Sequence, residues 1–407
     1  MTRRSADTRT CDAAIVGAGP AGLCAATLLA RTGASVALIG PVDANAADTR
    51  TSALFAASLT ILQQCGVWPQ LQPLSAALQK IRIVDRITRS DYPSIVLFDA
   101  QEIGDQPFGY NVANTDLVRA FEQRFGDFED VLRIASPVTS IDHHSDGVQL
   151  GCEDGTSILA RLVVAADGQN SPARSAAGIN AARWDYGQTA IATRISHELD
   201  HAFISTEVHR KGGPLATVPL PGLRSAIVWL ERPEVADELK ALDDAAFAGR
   251  LEAEIGDFLG SIELAGTRGT FPVRGLSTTT LARSRTVLVG EAGHVLPPIG
   301  AQGLNLGIRD AAWLADIVAG ALDEKSDPGG EQVLAQYRWA RRSDTMTRRA
   351  ASDLLNRSLL FDSLAMRSLR DLGLTGLASI GPLRRNLMRH GVGGDHSLPS
   401  QASSQPG

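Results

Sequence analysis

The sequence predicts an α/β protein in which a doubly wound, parallel-sheet unit is interleaved with a β-sheet domain and followed by C-terminal helices. Three observations predict this. The chain opens on a strand, a glycine-rich turn, a small-residue helix and a second buried strand, the β-α-β unit of such a sheet. A β-rich stretch from about Ala181 to Pro272 then separates this unit from a later buried strand and helix. Beyond residue 335 the apolar pattern is helical almost to the end.

Taken in order, Asp12 to Val16 reads as a short buried strand, the glycine turn leads into a helix ending near Thr32, and Ser35 to Ile39 is the second strand. Ile81 to Phe98 is strand-like. Thr115 to Phe125 is a helix with Asn114 or Thr115 as its cap. Several strands fill Val131 to Ala166, ending in the apolar run Leu162 to Ala166. The β-rich segment contains Ser225 to Leu230, with Trp229, and is interrupted by one helix around Glu234 to Glu254. Thr286 to Val289 is another buried strand, Asn305 to Leu322 a helix, and the remainder to about His390 helical.

The composition narrows the function classes. A chain of 407 residues, 44% apolar and 21% charged, is long enough for two or three domains with a substantial core. Aromatics at 5% and a net charge of -6 argue against nucleic acid as a partner. The cysteines Cys11, Cys24, Cys65 and Cys152 form no C-x-x-C pair and no zinc spacing, so they read as reduced thiols of a cytoplasmic protein, and no metal site is expected. Met1 to Thr10 has arginines but no apolar core, unlike a secretory signal. No apolar run approaches the roughly 18 residues that span a bilayer.

Gly17-Ala18-Gly19-Pro20-Ala21-Gly22 is G-x-G-x-x-G placed between a strand and a helix, the context in which that motif binds a dinucleotide. Gly17 permits the tight turn, Gly19 lets backbone approach a pyrophosphate, and Gly22 lets helix pack on strand. The helix N-terminus offers free N–H groups to the phosphates. The acid expected at the end of the second strand, which would take the ribose hydroxyls, is missing. Gly40-Pro41 stands there, with Asp43 the nearest replacement, and the ribose contact is left open.

Two further motifs identify the dinucleotide by resemblance. Asp167-Gly168, in VVAADGQNSPAR, resembles the "DG" motif of flavin-dependent aromatic hydroxylases. Gly290-Glu291-Ala292-Gly293-His294, followed by Pro297 to Gly307, resembles their second FAD fingerprint. Asp48 to Leu54, Gly66-Val67-Trp68, Asn111 to Asn114, Val228-Trp229 and Pro382 to Arg385 extend the likeness over nearly the whole chain. The sequence is similar to the bacterial ubiquinone-biosynthesis FAD-dependent hydroxylases, which are related to para-hydroxybenzoate hydroxylase.

The resemblance implies a Rossmann-like FAD-binding domain in segments 1–80, 109–180 and 273–335, and a β-sheet substrate domain in 81–108 and 181–272. A helical region, 336–390, and a disordered tail, 391–407, complete the division. It implies FAD held by Gly17, Gly19 and Gly22 at the pyrophosphate, Arg50 near flavin and phosphates, Asn114 as a polar contact, and Asp167 and Gly168 at the cofactor cleft. Asp167 and Gly168 are implicated in nicotinamide handling as well. Glu291 would receive a ribityl hydroxyl, and the Gly303, Leu304 and Asn305 turn would present backbone N–H groups to the flavin C2 carbonyl. Pro298 would line the reacting face. The sequence departs from the usual pattern at Glu291 (for Asp), Gly293 (for Ala) and Ala301 (for Gly), without losing a chemical group that the site needs.

The implied reaction is ring hydroxylation of a hydrophobic prenylated phenol by a flavin C4a-hydroperoxide, with dioxygen as co-substrate and NAD(P)H or another electron donor as reductant. The helix beginning near Leu304 would direct its positive end at the N1–C2 region of reduced flavin, worth roughly 0.3–2 kcal/mol. His294 reads as structural rather than as a base. Three alternatives stay open: hydroxylation of another aromatic, reduction of isoprenoid double bonds, and a non-catalytic flavin-stabilised subunit of a quinone-biosynthesis complex. A halogenase is disfavoured because W-x-W-x-I-P is absent. Finally, Arg338 to His390 holds eleven arginines, no lysine and four aspartates. This reads either as a solvated helical cap or as a surface for the periphery of the inner membrane or a partner complex.

Overall fold

The computed structural model describes residues 8–41, 48–87, 94–360, 380–391 and 399. Asp43 and most of the 391–407 tail lie outside the described residues.

Strand β1 (Thr8–Val16), helix α1 (Pro20–Arg31) and strand β2 (Val36–Ile39) form the opening unit. β1 lies in the middle of an eight-stranded sheet, parallel on one side to β2 and on the other to Ser157–Ala165. Val131–Ile134 extends the sheet beyond β2, and Thr286–Leu288 extends it beyond Ser157–Ala165. The four-residue strand β2 is buried throughout, as are the last four residues of β1. Such unbroken apolar runs are what a parallel sheet covered on both faces requires. On one face α1 packs with Gln302–Asp323 and Asn114–Phe125, filling a core that includes Leu23, Leu29, Phe121 and Leu314.

A nine-stranded sheet forms the second layer. The 17-residue strand Ala181–His197 pairs with Gly269–Thr278 and Arg224–Glu231, and Lys80–Asp85 and Ser94–Asp99 close the far edge. Trp229, fully buried, packs against Phe247 of a helix laid across this sheet. A three-stranded sheet is built from Thr51–Phe55, Gly109–Ala113 and Ala76–Leu78, segments that flank Lys80–Asp85 and Ser94–Asp99 in the chain.

Two sequence expectations need correction. The single helix expected around Glu234 to Glu254 is two, Pro233–Ala241 and Asp244–Ile255, because Asp243 leaves the helical conformation and its carboxylate accepts from Ala246 N at 2.7 Å. Neither Asn114 nor Thr115 caps its helix. Asn114 is the first helical residue and its side chain is engaged elsewhere.

Candidate functional site

The glycine loop divides by what packs around each position. A Cβ on Gly17, which sits at φ +110°, would lie 2.3 Å from the Ala166 carbonyl oxygen, and one on Gly22 would lie 2.0 Å from the Gly17 carbonyl oxygen. These two glycines are demanded by the protein itself. Gly19 is different, since a Cβ there meets nothing within 4 Å. Gly19 is also the N-cap of α1, extended and with no side-chain cap. The first-turn N–H groups are therefore left for an anion, and the space a side chain would take is open beside them.

The second fingerprint repeats this arrangement. Its helix spans Gln302–Asp323, three residues earlier than Asn305, and so takes in Gly303 and Leu304. No side chain caps it, and a Cβ on Gly303 again meets nothing within 4 Å. The N-cap, Ala301, sits in the left-handed region at φ 51°, at a cost of roughly 1–2 kcal/mol for a residue with a Cβ. Where the two helices meet, a Cβ on Gly290 or on Gly307 would lie 3.2 Å from Ala21 Cβ. Small residues thus let the two uncapped helix starts pack close to one another, which suits a ligand with a pyrophosphate at one end and an electron-accepting ring at the other. FAD is such a ligand.

Asn305 is buried, and its side chain is occupied within the protein. Its Oδ1 accepts from Phe55 N at 3.0 Å and Ser58 Oγ at 2.7 Å, and its Nδ2 donates to the carbonyls of Ala53 and Ala301. This staples the helix start to the strand that follows Arg50. Pro298 is exposed on the loop before the helix, next to buried Ile299.

Arg50 chelates Asp48 at 2.8 and 2.9 Å and lies over the Phe271 ring at 5.1 Å. The Asp48 carboxylate, with Glu291 adding at longer range, raises the Arg50 guanidinium above its ordinary value. Burial alone would raise Asp48, but hydrogen bonds from Arg50 and Asn114 hold it below the usual carboxylate range. Asn114 accepts from Ser52 Oγ at 2.7 Å. Asp48, Arg50, Ser52, Asn114 and Glu291 are therefore one polar cluster assembled from three distant stretches of chain.

Asp167 follows the strand that pairs with β1. Its Oδ2 accepts from Ala173 N at 3.0 Å, while its Oδ1 is buried and has no protein partner. Burial pushes this carboxyl up. Gly168 beside it has φ +78° and open space at its Cβ position. Next to this turn is a cavity of about 260 Å³ whose lining includes Gln169, Asn170, Arg183, Trp184 and Arg274.

Sequence reasoning missed a buried charge network beneath the second fingerprint. His294 Nε2 is 2.7 Å from Asp310 Oδ2, which also accepts from Gly290 N at 3.0 Å. Arg341 Nε donates to Asp310 Oδ1 at 2.7 Å, and Arg341 pairs in turn with Asp344 at 2.9 Å. Asp310 and Arg341 are fully buried. Burial would raise Asp310, yet His294 and Arg341 together hold it below its ordinary value. His294 thus pins the fingerprint loop to the helix behind it, the structural role read from sequence. At the end of β2, where the ribose-binding acid is missing, Gly40 O accepts from Arg133 Nη1 at 2.8 Å, and Arg133 is paired with Glu122. Among the described residues no cluster of His, Cys, Asp and Glu could hold a metal ion.

Residues 10–351 match the family described as FAD binding domain. Ubiquinone hydroxylase UbiL of Rhodospirillum rubrum is 35% identical over 395 residues, covering 96% of this chain and 91% of that protein. The 3-demethoxyubiquinol 3-hydroxylase of Escherichia coli is 29% identical, covering 93% of this chain and 98% of that protein. Among solved structures, p-nitrophenol 4-monooxygenase PnpA of Pseudomonas putida superposes with a TM-score of 0.78 at 18% identity, covering 96% of this chain and all of that one. The probable FAD-dependent monooxygenase pqsL of Pseudomonas aeruginosa gives 0.76 at 21% identity, covering 89% of this chain. With two uncapped helix starts packed close together, the chain belongs to the FAD-dependent hydroxylases of ubiquinone biosynthesis, flavoprotein monooxygenases related to para-hydroxybenzoate hydroxylase.

Proposed function

We propose that this enzyme inserts one oxygen atom of dioxygen into the aromatic ring of a polyprenylated phenol on the route to ubiquinone, the second oxygen leaving as water. The observation that carries this reading is the 35% identity to a ubiquinone hydroxylase over 96% of the chain, substrate-domain sheet included.

Bound FAD supplies the activation of dioxygen and the oxygen transfer to the ring. The chain's own residues bind and orient. Gly17, Gly19 and Gly22 shape the pyrophosphate loop at the start of α1. Arg50, held charged by Asp48, and Asn114 would stand beside the cofactor. Glu291 would accept a hydrogen bond from a ribityl hydroxyl. The Gly303, Leu304 and Asn305 turn would offer backbone N–H groups to the flavin, and a helix N-terminus favours the negative charge of its reduced form. Pro298 would line the reacting face with little side-chain bulk. Asp167 and Gly168 would border the cofactor, and Gln169 and Asn170, next along the chain, line the cavity that holds Arg183 and Arg274. Arg183, Arg274 (paired with Asp185) and the Trp184 indole there suit the phosphates and base of a nucleotide reductant such as NAD(P)H.

A polyprenylated substrate is nearly insoluble in water, so the enzyme works at the periphery of the inner membrane, from the cytoplasmic side, alone or within a quinone-biosynthesis complex. A deletion strain should lack ubiquinone and accumulate a prenylated ring one hydroxyl short, and restoring the gene under labelled dioxygen should place the isotope on that ring. Normal ubiquinone in a deletion strain without a redundant hydroxylase would refute the assignment.

A further inference from the structure

The long helix Glu331–Leu360 has two unlike faces in its first half. Tyr337 and Arg341, four residues apart and both fully buried, point inward. Tyr337 donates to Leu288 O at 2.8 Å, and Arg341 reaches Asp310. The opposite face carries Trp339, Arg342 and Met346, spaced three and four residues apart so that they line up along the helix. Trp339 is 82% exposed and Met346 52% exposed. An indole left this open to water, with a cation beside it, is unusual on a folded surface.

We propose that this face seats in the headgroup layer of an anionic phospholipid bilayer. Three features favour that occupant over a protein partner. The indole has an apolar body and a polar N–H, the combination that settles at a membrane interface. Arg342 is a guanidinium, whose planar fork matches phosphate oxygens. The region to His390 holds eleven arginines against four aspartates, and with Arg341 buried and Arg338 and Arg384 paired to Glu331 and Glu102 eight arginines still exceed the aspartates, an excess that attracts anionic lipid. In the helix Gly381–Gly391 the same composition recurs, with Met388 buried while Leu387 and Arg389 are exposed. This inference rests on the proposed substrate, since a polyprenyl chain is dissolved in such a bilayer.

The full-length, FAD-loaded protein should co-sediment with vesicles of phosphatidylcholine plus phosphatidylglycerol but not with phosphatidylcholine alone, and added salt should weaken the binding. Arg342→Glu should reduce it by roughly five- to tenfold or more. Vesicles with brominated acyl chains should quench a part of the tryptophan emission that is missing in Trp339→Phe. FAD content and melting temperature serve as the check that each variant is folded, and Trp339→Phe keeps an aromatic ring at a position that is 82% exposed. Absence of binding to anionic vesicles at low salt, unchanged binding by Arg342→Glu, or equal quenching in Trp339→Phe and the parent would each overturn the proposal. Because vesicle binding is read without turnover, a chain that binds vesicles yet leaves ubiquinone unaffected by deletion overturns the substrate assignment alone.

Discussion

Gly19 and Glu291 test the cofactor site one side chain at a time. Nothing in the protein occupies the space beside Gly19, so Gly19→Val can leave the apoprotein folded while placing a branched side chain where the pyrophosphate belongs. The expected outcome is a folded protein that purifies without flavin, read from the visible absorbance. Full flavin content would show that the loop does not hold the pyrophosphate. Glu291 is exposed and close enough to Arg50 to influence it. Glu291→Asp should keep FAD, whereas Glu291→Leu should weaken its binding by about 1–3 kcal/mol, the cost of leaving a buried hydroxyl without its acceptor. A fluorescence titration that finds equal affinity for the Leu variant and the parent would remove Glu291 from the set of ligands. These residues were legible in the sequence because each lies in a short motif whose spacing encodes a turn or a helix start. Arg341 was not. In sequence it is one of eleven arginines in a basic stretch, and only the fold reveals that it is wholly buried against Asp310.

At the scale of elements, the His294–Asp310–Arg341 network joins the fingerprint loop, the helix Gln302–Asp323 and the helix Glu331–Leu360. Removing the shared acceptor breaks the fully buried ion pair and leaves Arg341 with Asp344 alone, so Asp310→Ala should destabilise the fold by about 3–5 kcal/mol. The pH dependence has a definite sign. The folded-state carboxyl of Asp310 is lowered, so as pH falls the unfolded chain takes up that proton first. The contribution is complete above the ordinary aspartate value of about 3.9 and is lost as pH drops through the lower folded value. Denaturant unfolding at a series of acidic pH values should show a shallower loss of stability for Asp310→Asn than for the parent, and parallel curves would contradict this account. Element boundaries were less legible than element types. The helix Gln302–Asp323 begins three residues before the expected Asn305 because Ala301 adopts a left-handed N-cap conformation, which no local preference of alanine announces. The break between Ala241 and Asp244 depends on one aspartate choosing a capping role over a helical one.

For the molecule as a whole, the fold class was legible because strand-loop-helix order is written locally, and the three ordered FAD motifs fix how the halves alternate. The polar cluster around Arg50 was only partly legible. Asp48 and Arg50 are neighbours in sequence, but their meeting with Asn114 and Glu291 depends on chain segments more than sixty residues apart. The same long range governs synthesis. β1 is the first described strand to leave the ribosome, yet one of its two neighbours is Ser157–Ala165, and that strand's other parallel partner is Thr286–Leu288. The glycine loop at the front of the chain cannot face its opposing helix end until residue 302 and beyond have emerged. Pairing this distant in sequence is slow and leaves apolar strand edges waiting. Cofactor capture is therefore a late, post-translational event, and a nascent chain stalled before the second fingerprint would be an aggregation hazard with half a nucleotide site and nothing to close it.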